Sequence, residues 1–327
     1  MFTRRRLLAA SAASVFAPAI VSSAASAQGG SAWPTKPVRM IVPYPPGGGA
    51  DTIARVVANS LSKMWGQQVV IENRTGAGTN IGTEAAAKSE PDGYTFLLCT
   101  GSFAINPFLY KSLGYDPIKD FAAITVLVEY PNIMSVPNTS SARTVAEFIE
   151  LAKKKPDMTF GSSGNGGTTH LSGELFVRTA GIQMTHVPYR GAGQAINDLI
   201  PGRLDMMFNT IGSMLGHVRS GAVRGLAVSS RERFASAPEL PSVHESGLPG
   251  FHIMGWYGFV APTRTPKEIV AKINADTVTA LSDREVKGRI EAVGVGIVGS
   301  TPEQMTARIK DEMAVWESII RAANIAL

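Results

Sequence analysis

Cysteine is nearly absent from this 327-residue chain: Cys99 is the single thiol, so no intramolecular disulfide can form. Stability must come from buried apolar surface, and 44% hydrophobic content over this length supplies enough for two domains. Cys99 closes the apolar run Tyr94-Thr95-Phe96-Leu97-Leu98, which reads as a buried strand, so its thiol is expected to be an inert core group. Beyond the N-terminal leader no stretch offers about 18 uninterrupted apolar residues, which excludes a membrane-spanning helix there. The five histidines show no i, i+4 pairing with one another and cysteines are not paired, so no zinc motif is present and no metal is expected. The basic residues are scattered, without a stripe interleaved with aromatics, and this excludes nucleic acid as a partner.

Enzyme signatures also fail. A Walker-type loop needs Gly-Lys-Ser/Thr, which does not occur. The segment GAGTNIG places its glycines at 76, 78 and 82, too widely for Gly-x-Gly-x-x-Gly, and no acidic partner follows at the next strand end. Gly161-Ser162-Ser163-Gly164-Asn165 resembles a hydrolase elbow without its final glycine, and His170 is the base that Ser163 would need. A lone histidine at a helix start reads first as a structural hydrogen-bonding residue, and no acid can be assigned to orient it. The chain is therefore expected to be neither an enzyme nor a cofactor carrier.

The first residues carry an address. Thr3-Arg4-Arg5-Arg6-Leu7-Leu8 is a twin-arginine-type start, an Ala- and Ser-rich apolar stretch runs to Val21, and Ala25-Ser26-Ala27 is an A-x-A cleavage site. Residues 1–27 are thus expected to be a signal peptide, cleaved after Ala27 on export to the periplasm. Its three arginines account for most of the formal charge of +5: without them, 28 of the 31 basic residues face 26 acidic ones, near +2.

Past the leader, one phrase occurs twice: VPYPPGGGADTIAR from Val42 and VPYRGAGQAINDL from Val187. In each, a short strand runs into Pro-Tyr, a glycine turn and an amphipathic helix. Such a turn aims unpaired backbone N–H groups at whatever lies before the helix and favours an anion, so one turn per lobe would grip a small carboxylate from two sides. Asp51 reads as the N-cap of the first helix, whose apolar face is Ile53, Val56, Val57, Leu61 and Met64, with Gly66 as its end. Elsewhere strands at 69–72, 94–99, 158–160, 204–208, 225–228 and 255–260 alternate with helices at 144–154, 170–179, 266–281, 284–293 and 302–322, an α/β pattern. Clusters of Gly, Ser, Thr and Asn follow the strands, at 47–52, Thr79-Asn80, Thr100-Gly101-Ser102, 162–169 and 189–193. In open α/β sheets ligands sit beyond the carboxyl ends of the strands, where these clusters would gather.

With PVRMIVPYPPGGGADTIAR, VVIENRTGAGTNIGTEAAAKSEPDGYTFLL, FGSSGNGGTTHLSGELF, HVPYRGAGQAINDLIPGRLDMMF and GWYGFVAPTRTP, the sequence resembles the Bug (TctC-like) periplasmic solute-binding proteins of tripartite tricarboxylate transporters over essentially its whole mature length. The resemblance implies an α/β, two-lobed periplasmic-binding-protein fold of type II-like form, with a hinge and an interlobe cleft. Lobe 1 would hold residues 28–130 and 250–327, and lobe 2 residues 131–249. It further implies a monomer that captures a mono-, di- or tricarboxylate, aromatic acids and acidic amino acids included, and delivers it to the transporter's membrane subunits; a ligand-presenting sensor is the alternative. The residues it marks are Tyr44, Pro45, Gly48, Gly49, Asp51, Thr52, Asn80, Thr100, Gly101 and Ser102 in lobe 1. In lobe 2 they are Ser162, Ser163, Gly167, Thr168, Thr169, Tyr189, Gly191 and Asp205. Arg190 stands where many members carry Lys and reads as a solvated surface arginine.

Overall fold

The computed structural model describes residues 33–323; the leader expected at 1–27 lies outside them. Residues from Pro34 onward form one compact unit built on a ten-stranded sheet. Its first part runs β1 (Val38–Val42), α1 (Gly49–Trp65), β2 (Val69–Asn73), α2 (Asn80–Ala87), β3 (Thr95–Thr100) and α3 (Ser102–Leu109). A 17-residue strand, β4 (Phe121–Pro137), leads to α4 (Val145–Lys154), β5 (Thr159–Ser162), α5 (Thr168–Ala180), β6 (Thr185–Pro188), α6 (Ala192–Leu199), β7 (Met206–Thr210), α7 (Ile211–Arg219) and β8 (Val223–Val228). The chain returns through β9 (Met254–Pro262), α8 (Lys267–Ser282), α9 (Arg284–Glu291), β10 (Gly296–Ile297) and α10 (Pro302–Ala323).

Two parallel units of identical order face each other in this sheet. In one, β1 lies between β2 and β3; in the other, β5 lies between β6 and β7. Between them run β9, antiparallel to β3, and β4, antiparallel to both β9 and β7. β4 changes partners along its length: Phe121 to Pro131 pair with β9, whereas Asn132 to Pro137 pair with β7 and β8. One strand is therefore shared by both lobes, and the return crossing follows Ile253, whose N–H bonds to Ser229 O at 2.9 Å.

Sequence periodicity explains most elements. Ile53, Ala54, Val57 and Leu61 of α1 are fully buried, and Gly66 ends the helix in the left-handed region at φ 63°. Met64, expected on that face, is instead exposed in the last turn. Thr144 caps α4 by accepting the Glu147 N–H. Two helices escape sequence reading: α3 carries Pro107 in its interior, and α7 carries Gly212 and Gly216, so low propensity hides both. Tertiary packing supplies what propensity lacks, since Phe103, Ala104, Ile105 and Leu109 of α3 are all buried.

Lobe 1 packs Ile41, Leu97, Phe103, Phe121, Trp256, Met305 and Ile309 together, and lobe 2 packs Phe148, Phe160, Phe176 and Phe208, with Phe251 packed on them from just before the return crossing, so the lobe boundary expected at 250 falls a few residues early. A third cluster joins Ala104, Ile105 and Leu109 of lobe 1 to Leu171 of lobe 2 and Trp316 of α10, so the lobes are in apolar contact on that side. α10 is also tied to the crossing, because Arg308 bridges Glu129 of β4 and Glu312, each at 3.0 Å. Cys99 is buried on β3, and burial pushes its thiol pKa up, as its apolar surroundings require.

Candidate functional site

The turn after β1 begins at Tyr44, whose hydroxyl lies 3.0 Å from Thr100 Oγ1 while its carbonyl accepts from Asn73 Nδ2 at 2.9 Å. Gly47 follows at φ +85°, where a side chain would be strained. Its N–H donates to Asp51 Oδ2 at 2.9 Å. The N-cap of α1 is Gly48, and this corrects the expectation for Asp51: the aspartate sits in the first turn and reaches back. Only 2% exposed, Asp51 also accepts two bonds from Arg55, at 2.8 and 3.0 Å, and one from Asn73 at 2.9 Å. Burial acts to raise its pKa, but the Arg55, Gly47 and Asn73 hydrogen bonds outweigh it and hold the carboxyl below its ordinary value. Asp51 thus braces the turn with all its acceptor capacity in use. No side chain caps α1, and the amides of Gly49, Ala50 and Asp51 precede its first intrahelical bond, from Thr52 N–H to Gly48 O.

The corresponding turn in lobe 2 follows β5. Ser162 is fully buried, with Oγ 2.7 Å from His186 Nε2 and 3.1 Å from Gly164 O. Ser163 pairs through its hydroxyl with Thr169 Oγ1 at 2.8 Å, not with His170. Gly167 is the N-cap of α5, again without a side-chain cap, and Thr168, Thr169 and His170 precede the first intrahelical bond. This turn meets lobe 1 directly: a Cβ on Gly101 would stand 3.3 Å from Thr168 Cγ2, and Ser102 N–H donates to Thr100 Oγ1 at 3.3 Å. Tyr44, Thr100, Gly101, Ser102 and Thr168 are thereby brought together.

The first turn also adjoins a cavity of about 350 Å³. Gly47, Gly48, Gly49, Thr52 and Ile53 of the first turn line it, facing Thr210, Gly212 and Ser213 at the start of α7, with Tyr130, Tyr257, Val293 and Val295 completing the wall. None of these side chains is charged. Tyr130 and Tyr257 have ring centroids 4.9 Å apart, and burial raises both phenols, so they act as neutral hydrogen-bonding groups. Sequence reading missed Tyr130, Tyr257, Thr210, Gly212 and Ser213; the one signal for them is the aromatic pair in GWYGFV, which includes Tyr257. Pro45 is exposed at the lip of the turn.

Three marked residues, Asn80, Asp205 and Gly191, sit elsewhere. Asn80 is buried between α2 and α3, its Oδ1 accepting from Asn106 Nδ2 at 2.6 Å and Tyr115 OH at 2.9 Å. Asp205 precedes β7 at the end of the sheet away from Ser162, where it accepts the Thr159 N–H at 2.8 Å. Tyr189 adjoins the second turn, its N–H donating to Ser162 O at 3.1 Å while its hydroxyl donates to Asp198 at 2.8 Å, and Gly191 caps α6 at the edge of the sheet beside an exposed Arg190. The reason is topological: the second Val-Pro-Tyr ends β6, the counterpart of edge strand β2, whereas the counterpart of β1 is β5. The repeated phrase does not mark equivalent turns.

Among the described residues one group has metal-ligand spacing, His170, Glu174 and His186, whose ligating atoms lie within 4.8 Å of one another. A search for histidine pairs alone overlooks it, because the i, i+4 partner of His170 is a glutamate and His186 comes from another element.

The geometry has known counterparts. The family model described as "Tripartite tricarboxylate transporter family receptor" matches residues 53–325. The solved structure of R. palustris Rpa4515 with adipate is 35% identical and superposes with a TM-score of 0.85, covering 90% of this chain and 100% of that one. Periplasmic binding protein BugD is 33% identical at a TM-score of 0.82, with 90% and 100% covered. MatC from Rhodopseudomonas palustris with bound malate is 29% identical at 0.79, with 88% and 99% covered. Among the described residues no helix is long and apolar enough to cross a membrane. With two lobes sharing crossing strands and a helix-lined cleft between them, the chain belongs to the TctC receptor family, the Bug-type periplasmic solute-binding proteins.

Proposed function

We propose that this protein captures a small carboxylated organic solute between its lobes and delivers it to the membrane subunits of a tripartite tricarboxylate transporter. The observation that carries the reading is the uncharged cavity between the lobes, with the uncapped starts of α1 and α7 on its wall. Free N–H groups and the positive end of a helix favour carboxylate without a cationic side chain. Adipate and malate in two structural relatives support the solute class. The contacts proposed are Gly48, Gly49 and Thr52 from the first turn, Tyr44, Thr100, Gly101 and Ser102 beside it, and Ser163, Gly167, Thr168 and Thr169 across the cleft. Residues 28–130 with 250–327 would move against 131–249 as a monomer, and the leader would be cleaved after Ala27 on export.

A thermal-shift screen of mono-, di- and tricarboxylates tests the reading. One of them should raise Tm progressively, with the logarithm of its concentration above Kd, as mass action requires. No stabilisation by any carboxylate at millimolar concentration sinks it. With the bound acid in hand, solution scattering should show compaction on saturation, and mass spectrometry of the exported protein should find Gln28 at its N-terminus.

A further inference from the structure

Tyr130 and Tyr257 meet because of a glycine. Tyr130 on β4 stands opposite Gly255 on β9, and a Cβ on Gly255 would run into the Tyr130 ring. The ring lies over that glycine and reaches Tyr257, two residues on and on the same face of the strand. Both side chains are buried, at 5% and 8% exposure, and both line the cavity. The Tyr257 hydroxyl stands at the start of α1, since a Cβ on Gly49 would be 3.4 Å from it. Burial pushes both phenol pKa values up, so both stay protonated. The two hydroxyls bond to each other, which uses one of their two hydrogens. Tyr44, the third phenol nearby, is turned to Thr100 Oγ1 at 3.0 Å. Among the described residues the second hydrogen of the pair finds no protein acceptor, and a buried donor left in this way calls for a ligand atom.

We propose that this cavity selects acids that carry no amino group, with the Tyr257 hydroxyl donating to their carboxylate at the start of α1. The inference rests on the carboxylate reading above and narrows it: an unsubstituted or hydroxy acid is admitted, and the amino acid of the same length is refused. The wall holds no carboxylate to receive an ammonium group. Asp51 of the first turn is outside it, with its oxygens committed to Gly47, Arg55 and Asn73. The side-chain hydroxyls of Thr52, Thr210 and Ser213 are neutral, and α1 and α7 both begin at this wall without side-chain caps, which places the positive ends of two helices there. An ammonium enclosed among them loses its water and meets no counter-charge. A solute hydroxyl is served instead by Thr210 and Ser213, whose oxygens are 3.0 Å apart. Tyr130 acts through Tyr257, occupying one side of its hydroxyl and fixing where the free hydrogen points, and is a positioning residue.

Calorimetry on the solute-free mature protein compares acids in series of equal chain length: succinate with hydroxysuccinate and aspartate, glutarate with hydroxyglutarate and glutamate, and any further acid retained by the carboxylate screen with its hydroxy and amino forms. The hydroxy form controls for size. In each series that binds, the amino form should bind at least about 100-fold more weakly than the hydroxy form. Tyr257→Phe should weaken the tightest acid by about 10- to 100-fold, as loss of a hydrogen bond to a charged group does. Tyr130→Phe should cost less, and the double variant no more than Tyr257→Phe alone, because the two residues act as one unit. The double variant should keep the solute-free Tm, since replacing both partners of a buried bond by apolar groups of the same shape is close to neutral. Equal affinity for amino and hydroxy forms, wild-type binding in Tyr257→Phe, a fall in the solute-free Tm of the double variant, or single losses that multiply in it each overturns the inference. If acids bind and one of these results appears, the carboxylate reading stands and only the selectivity is lost. If no acid of any series binds, that reading fails and the selectivity falls with it.

Discussion

The two turns that open α1 and α5 occupy the same place in two units of the same strand order, yet they are held in different ways. The lobe 1 turn is braced by a buried carboxylate that accepts four hydrogen bonds, from Gly47, Arg55 and Asn73. Its glycines at 47 to 49 are exposed to the cleft. The lobe 2 turn is braced by neutral imidazoles, and Ser162 beneath it is wholly buried. A carboxylate with lowered pKa keeps its charge throughout neutral and mildly acidic conditions, and the His186 ring, its pKa pushed down to about 4 chiefly by burial, stays neutral through the same range. The same backbone geometry can therefore be braced by a charged group or by neutral ones.

The largest effect should come from removing the charged brace. Asp51→Ala removes the buried acceptor shared by Gly47, Arg55 and Asn73, leaving Arg55 its bond to Asn73 Oδ1 and Asn73 its bond to Tyr44 O, and should lower unfolding free energy by about 3 kcal/mol, less than a fully buried pair because Arg55 is half exposed. Urea denaturation measures this, and a loss below about 1 kcal/mol means the turn holds itself. Gly49→Val comes next. Its φ is ordinary, but a Cβ there stands 3.4 Å from the Tyr257 hydroxyl and points into the cavity, so the variant should fold and bind the screened carboxylate at least about 100-fold more weakly, about 2.7 kcal/mol by calorimetry. Wild-type affinity in that variant would remove the first turn from the site.

A pH series separates the two braces. His186 is held neutral down to about 4 in the folded protein against 6.5 unfolded, so the unfolded chain takes up its proton first on acidification. This contribution to stability is whole above about 6.5, erodes as pH falls through that window and is gone below about 4. Tm against pH should accordingly flatten between those limits in His186→Gln, and a slope equal to wild type counts against the assignment. The smallest effect is expected at Arg190, exposed and without an ion pair among the described residues, where Arg190→Ala should cost less than about 1 kcal/mol of binding. A large loss there would move the solute towards the sheet edge.

Much of the fold was legible because it is written in short-range signals. The faces of α1 and α4, the stop at Gly66 and the strand ending at Cys99 each follow from residues within a few positions of one another. The site was legible only in part. Glycine turns after strands announced where ligand groups would gather, but Asn80 and Asp205 carry the same polar composition and serve as braces for α2, α3 and the start of β5. Hydrogen-bonding capacity is a property of the residue; its partner is a property of the fold.

Turn chemistry, amphipathic period and the shortage of catalytic side chains belong to the amino-acid sequence, since each depends on neighbours along the chain. Which turns meet was decided by strand order alone. Val-Pro-Tyr at 42 and at 187 are nearly the same words, yet β1 lies in the middle of its unit and β6 at the edge of the other. The crossing strands set β5, not β6, opposite β1, and they bring Tyr130 and Tyr257, far apart in sequence, side by side in the wall of the cavity. Pairing between strands more than a hundred residues apart is an outcome of burying two helical layers on one sheet, and no local pattern records it.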